Sequence, residues 1–190
     1  MAGKLFIISA PSGTGKTTLV NALLAQWKGN ELKRVVTFTT RTARPHEVNG
    51  IDYHFISLQE FRAKHKEGFF LETNEFCGNF YGSPRSVVNQ EERGSISFIF
   101  VIDQEGARSL KGIPGIILIW IKPPTLSELM LRLQKRGEVS EGEIAKRMQK
   151  AKQELEREAC DHLYDYHLVN DDFCSTLTEL KALIGAEIDR

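Results

Sequence analysis

An apolar run, Leu5-Phe6-Ile7-Ile8, leads directly into Ala10-Pro11-Ser12-Gly13-Thr14-Gly15-Lys16-Thr17, and Thr18-Leu19 follow. The order is strand, glycine-bearing loop, helix, which is the arrangement of a phosphate-binding P-loop. Such a loop turns its backbone N–H groups inward as an anion cradle. Gly13 and Gly15 admit phosphate oxygens without a Cβ in the way. The helix that follows adds free N–H groups and the positive end of its dipole. Lys16 is placed to reach the β- and γ-phosphates and the Thr17 hydroxyl to ligate Mg²⁺. Ala10 stands where the motif usually opens with glycine. A chance glycine-rich turn would not bring the strand, the helix and the Lys-Thr pair to these positions together. The loop alone promises the phosphates of a nucleoside triphosphate and leaves the reaction open.

The chain of 190 residues is read as one domain, and 41% hydrophobic residues suffice for an ordinary core. Lys+Arg and Asp+Glu balance at 25 each, so no basic excess points to nucleic acid. The three cysteines Cys77, Cys160 and Cys174 lack paired spacing, which speaks for a reducing compartment and against a disulfide framework. No C-x-x-C or H-E-x-x-H spacing suggests zinc. Apolar runs such as 116–121 are too short to span a bilayer. Met1-Ala2-Gly3-Lys4 runs straight into the first strand without the pattern of a signal peptide. The expectation is a cytoplasmic protein.

Strands are predicted at 5–9, 32–40, 69–75, 96–102, 116–121 and 166–170, and helices at 18–27, 58–67, 104–110, 125–136, 140–158 and 175–188. Continuous β-branched runs at 96–102 and 116–121 suit strands buried on both faces of a parallel sheet. Between 41 and 85 turn residues become frequent, as in Arg44-Pro45 and Asn49-Gly50, and the segment reads as a small inserted lobe of mixed structure. The fold class is therefore α/β, with a mainly parallel central sheet flanked by helices. Right-handed crossovers put the P-loop at the carboxyl edge of that sheet.

Chemistry beyond the P-loop lies in the inserted lobe. Thr39-Thr40-Arg41-Thr42-Ala43-Arg44-Pro45 sets two arginines three residues apart, and guanidinium forks suit bidentate phosphate binding. An isolated pair of this kind would read as solvated surface. Here Gly78-Asn79-Phe80-Tyr81-Gly82-Ser83 adds a tyrosine hydroxyl in a glycine-flanked turn, and Val48-Asn49-Gly50-Ile51-Asp52-Tyr53 adds another. Ser-Gly-x-Gly-Lys-Thr, Thr-Thr-Arg-x-x-Arg, Glu-Val-Asn-Gly-x-Asp-Tyr and Gly-Asn-x-Tyr-Gly-Ser occur in that order. Together they resemble the guanylate kinases, P-loop nucleoside monophosphate kinases that move a phosphoryl group from ATP to GMP. The resemblance runs from about Leu5 to the final helix.

The resemblance implies a core at about 4–40, 94–124 and 159–188, a GMP-binding lobe at about 41–93 and a helical lid at about 125–158. It implies ATP contacts from Ala10, Pro11, Ser12, Gly13, Thr14, Gly15, Lys16, Thr17, Thr18 and Asn170. For Asn170 a plain turn after the last strand is the equal alternative. The GMP phosphate would fall to Arg41, Arg44, Tyr53 and Tyr81, and the base to Glu72, Ser83 and Thr37. A carboxylate matches the adjacent guanine N1–H and N2–H₂ donors, whereas adenine leaves it unpaired. The strand 96–102 usually ends Asp-x-Asp in that family; here the earlier position is Val101 and only Asp103 follows. Asp103 is assigned to the site without choosing between guanine and the metal, and it can cap the next helix as well. Catalytic cations by resemblance are Lys16, Arg41, Arg132, Arg136 and Arg147, with Mg²⁺ as cofactor and Thr17 and Asp103 as its residues. Alignment and charge neutralisation then carry the reaction, and no general base is required because the acceptor phosphate is already an anion. The implied activity is phosphorylation of GMP and dGMP for GTP supply. Two alternatives stand beside it: a catalytically silent protein-interaction module of the same fold, and a P-loop kinase for another small phosphate acceptor.

Overall fold

In the computed structural model, described for residues 3–76, 78–89, 94–135 and 140–190, nine strands and six α-helices follow one another among the described residues. They run β1 (Leu5–Ser9), α1 (Lys16–Gln26), β2 (Leu32–Arg34), β3 (Phe38–Thr39), β4 (His54–Phe55), α2 (Leu58–Lys66), β5 (Phe70–Phe76), β6 (Asn79–Pro84), β7 (Ser97–Val101), α3 (Gln104–Ser109), β8 (Ile116–Lys122), α4 (Leu126–Lys135), α5 (Glu141–Asp161), β9 (Tyr166–Val169) and α6 (Phe173–Ile188). Two sheets result.

The larger sheet has the order β2-β7-β1-β8-β9 and is parallel throughout. Alternate side chains feed two cores. Phe6, Ile8, Ile99, Val101, Ile119 and Ile121 pack with Leu19, Val20 and Leu23 of α1 and Leu177, Leu180 and Ile184 of α6. Leu5, Ile7, Phe100, Leu118 and Trp120 turn the other way, onto Ala107 beside Leu110, Leu163 and Tyr164. Burying each such large apolar side chain is worth roughly 1.5–3 kcal/mol. Strand order reverses at β1, so the P-loop opens into the crevice at the carboxyl ends.

The smaller sheet, β4-β3-β6-β5, mixes one parallel pair with two antiparallel ones. Helix α2, capped by the Ser57 hydroxyl on Glu60 N, covers it through Phe61, stacked 4.6 Å from Phe70. Two expectations change here. The predicted strand 32–40 splits: Leu32–Arg34 pairs with β7, Val35 still donates to Ile99 O at 2.8 Å, and Phe38–Thr39 joins the second sheet. The run is extended and apolar, but Val35 belongs to the main core and Phe38 to the rings of His54, Phe69 and Phe70. The stretch 78–83, expected as a turn around Tyr81, is a strand from Asn79 onward, with only Gly78 turning at φ 74°. Phe80 and Tyr81 favour strand structure, and pairing with β5 decides the outcome.

Helices α4 and α5 pack together through Leu129, Leu133 and Ala151. Thr125 caps the first through Glu128 N at 3.0 Å and Ser140 the second through Glu143 N. The helix expected to end at Arg136 is described as far as Lys135, and Arg136 lies outside the described residues. No helix among the described residues is long and apolar enough to cross a membrane.

Candidate active site

The loop after β1 takes the shape its glycines allow. Gly13 and Gly15 both sit at φ 96°, where a side chain is strained. A Cβ on Gly13 would also come within 2.8 Å of Leu133, so α4 backs the loop closely. Asn170, buried at the end of β9, donates to Thr14 O at 2.6 Å, and Arg132 holds Asn170 O at 3.0 Å while pairing with Glu128. The Lys16 ammonium donates to Ala10 O at 3.1 Å inside the loop. Arg147 reaches over from α5: its Nη1 donates to Ser12 Oγ at 3.4 Å and its Nη2 to Glu143 at 2.6 Å. Its Nε is buried with no hydrogen-bond partner among the described residues. An unmatched cationic donor beside a P-loop is a place for a phosphate oxygen.

One cavity of about 720 Å³ joins this loop to the smaller sheet. At the far end Arg41 donates to Glu47 Oε1 at 2.7 Å, and the same carboxylate takes Arg44 N at 2.8 Å with the Arg44 guanidinium 3.7 Å away. Burial works against Glu47, but the bonds from Arg41 and Arg44 hold its carboxyl below the usual range. The Arg41 guanidinium lies over Tyr53, whose ring meets Tyr81 edge-on. Burial pushes the Tyr53 phenol up, so it keeps its proton and can donate.

Glu72 points in from β5. Only 8% of it is exposed, and Ser83 Oγ donates to its Oε1 at 2.6 Å. Burial first, with Asp103 adding repulsion against the bonds from Ser83, raises its carboxyl to about 7. Asp103 lies two residues past β7 and caps α3 through Gly106 N at 3.0 Å. Its other oxygen takes the Asn74 amide and Lys150. Glu154 on α5 is a second carboxylate raised to about 7, by burial against the pull of Lys150 and Lys16.

The cavity wall thus gathers Ala10, Pro11, Ser12, Gly13, Gly15, Lys16 and Thr17 with Thr37, Arg41, Arg44, Tyr53, Glu72, Tyr81, Asp103 and Arg147. Five of the expected residues are not part of that wall. Thr14 is buried in the loop, Thr18 faces out on α1, and Asn170 and Arg132 brace the loop from behind. Ser83, expected at guanine O6, is fully buried and spends its hydroxyl on Glu72; it orients the carboxylate instead. Asn74, Phe76, Lys146 and Glu154 line the wall without having been singled out. Nothing in a charge-dense helix distinguishes Lys146 or Glu154 from solvated neighbours. Glu47, by contrast, opens the quoted Glu-Val-Asn-Gly stretch. Val101, 8% exposed, is part of both the main core and the wall.

A P-loop on a parallel sheet, with a second sheet closing the same cavity by arginines, tyrosines and a buried carboxylate, defines a P-loop α/β protein with a two-ended nucleotide site. Comparison with known proteins narrows the class. The family model described as guanylate kinase matches residues 2–187, and the chain belongs to the guanylate kinase family. A guanylate kinase of Photobacterium profundum is 42% identical over 186 residues, covering 97% of this chain and 88% of the relative. One of Alkalilimnicola ehrlichii is 42% identical over 191 residues, covering 100% and 92%. The crystal structure of guanylate kinase from Anaplasma phagocytophilum superposes with a TM-score of 0.80 at 29% identity, covering 100% of this chain and 88% of that one. A gluconokinase structure from Sinorhizobium meliloti, at 13% identity and a TM-score of 0.52, shares the fold alone.

Proposed function

We propose that this chain transfers the γ-phosphoryl group of ATP to GMP, and to dGMP, releasing ADP and the diphosphate. The observation that carries the reading is a continuous cavity with the P-loop at one end and Glu72, Arg41, Arg44, Tyr53 and Tyr81 at the other. ATP lies with its phosphates in the loop, where Lys16 exchanges the Ala10 carbonyl for phosphate oxygen. The guanine N1–H and N2–H₂ donate to the two oxygens of Glu72, which Ser83 holds in place. Arg41, Arg44 and the two tyrosines take the GMP phosphate, and its oxygen attacks in line. Arg147 neutralises charge on the transferring group through the donors it presents over the loop. Within the lid expected at about 125–158, Arg132 stays with the loop it braces, and the N-terminal half of α5, which carries Arg147 over the cavity, would close so as to exclude water and suppress ATP hydrolysis.

Mg²⁺ suits the donor set. No cluster of three metal-binding side chains exists among the described residues, and Mg²⁺ with a nucleotide needs only one or two protein oxygens beside phosphates and waters. Thr17 and Asp103 would supply them. The bound ion would spread the charge of the β- and γ-phosphates.

A panel of nucleoside monophosphates with ATP and Mg²⁺, read as ADP release, tests the proposal. GMP turns over far faster than AMP or dTMP. Equal rates on AMP would remove Glu72 as the reader of the base.

A further inference from the structure

Helix α5 changes its surroundings halfway along. Its C-terminal half is pinned to α3: Gln104 Nε2 donates to Glu154 O at 3.2 Å, Arg108 pairs with Asp161 at 2.5 Å, and Arg157 pairs with Glu105. Its N-terminal half, carrying Arg147, packs on α4 and overhangs the cavity. Lys150 sits at the junction. Its Nζ lies 3.4 Å from Asp103 Oδ2, 3.9 Å from Glu154 Oε1 and 4.2 Å above the Phe76 ring. Its side chain is 30% exposed and forms no part of the cavity wall. Asp103 belongs to the connection from β7 to α3, Phe76 to β5, and Lys150 to α5, so one ammonium joins all three parts that meet around the acceptor. Arg147 lies three residues back, on the same side of the helix. The Asp-x-Asp ending usual in the family is reduced here to Val101 and Asp103, and Asp103 has Lys150 as its cationic partner.

We infer that Lys150 is a positioning residue for the proposed reaction, holding α5 to Asp103 and to strand β5 so that Arg147 and the acceptor wall meet in one fixed relation when the site is closed. The inference rests on the GMP-kinase reading. Lysine suits the place because a compact charge on a flexible stem can meet a carboxylate and a ring face at once. Glutamine fits the space but offers neither the charge nor the cation–π contact. Strand β5 also carries Glu72, so a loosened junction blurs the acceptor end. The P-loop keeps its own supports, Asn170 and α4.

The test is steady-state kinetics on Lys150→Gln and Lys150→Arg beside the wild type, with thermal unfolding of each. Lys150→Gln raises the GMP KM about fivefold and lowers kcat roughly tenfold, with the ATP KM within about twofold of wild type. Lys150→Arg recovers most of both losses. Phe76→Leu, combined with Lys150→Gln, gives a second reading: the double variant loses less in kcat/KM for GMP than the two singles multiplied, because both sever one contact. An unchanged GMP KM and kcat in Lys150→Gln, an equal rise in both KM values, or fully multiplicative losses in the cycle would each overturn the role. A wild type that fails to phosphorylate GMP removes the acceptor reading and this inference together. A normal wild type with an indifferent Lys150→Gln removes this inference alone.

Discussion

Glu72→Gln should stabilise the protein while crippling it. The free carboxyl of Glu72 is raised from 4.5 to about 7 by burial, with Asp103 adding to it. Its folded pKa lies above its unfolded one, so the folded state binds the extra proton. That stabilisation is complete below pH 4.5 and is lost as pH rises to 7. By pH 8 the ionised carboxylate costs the folded state about 3 kcal/mol, and at pH 5 less than about 1 kcal/mol. Glutamine keeps the acceptor for Ser83 and carries no charge. The variant should therefore melt roughly 6–12 °C above wild type at pH 8. The two should nearly coincide at pH 5. Binding moves the other way. Guanine loses a charged double acceptor and meets an amide N–H₂, a loss of about 1.5–3 kcal/mol, which raises the GMP KM roughly 10- to 150-fold. Differential scanning calorimetry at the two pH values and GMP titration of the initial rate are the measurements. A variant that melts no higher than wild type at pH 8, or a gain equal at both pH values, would refute the buried-charge argument. An unchanged GMP KM would refute the contact with the base.

Lys16→Met should lower kcat by about three orders of magnitude or more with the melting temperature little changed, since the ammonium meets a loop carbonyl in the free protein and neutralises phosphate charge in the reaction. Single-turnover phosphoryl transfer reads this directly, and a near-normal rate would end the phosphate-cradle assignment. Glu47→Ala frees Arg41 and the Arg44 loop together, so the GMP KM should rise roughly tenfold while the ATP KM stays put. A tighter GMP KM would mean that Glu47 competes with the phosphate rather than shaping its site.

The P-loop and the parallel core were legible because their signals are local: a buried strand, glycines that need positive φ, and β-branched runs. The acceptor residues came from motif order rather than periodicity. The split of 32–40 was hidden because an extended apolar run looks the same whether one sheet or two receive it. Ser83 was read as a contact to the base, yet its hydroxyl belongs to Glu72. Asn170 was evenly balanced between the adenine and a turn; its amide also ties the end of the last strand to the P-loop, which neither reading contained. Hydrogen bonds across 11 and 156 residues are decided by packing that no window of sequence contains. Asp103 was read both ways, and it does cap α3 while facing the cavity.

That long tie between Asn170 and Thr14 has a consequence for how the protein comes into being. The phosphate loop is synthesised well before its brace, 156 residues earlier in the chain. Until β9 has docked beside β8, Thr14 lacks the amide that fixes its carbonyl, and Arg132 lacks the carbonyl of Asn170. Contacts of such separation close late, after loop-closure entropy has been met by the rest of the sheet. A nascent chain stalled before residue 170 would thus carry the whole P-loop sequence in unbraced form. The cradle thus takes its braced form only once residue 170 has joined the fold, although its own sequence was complete at Thr17.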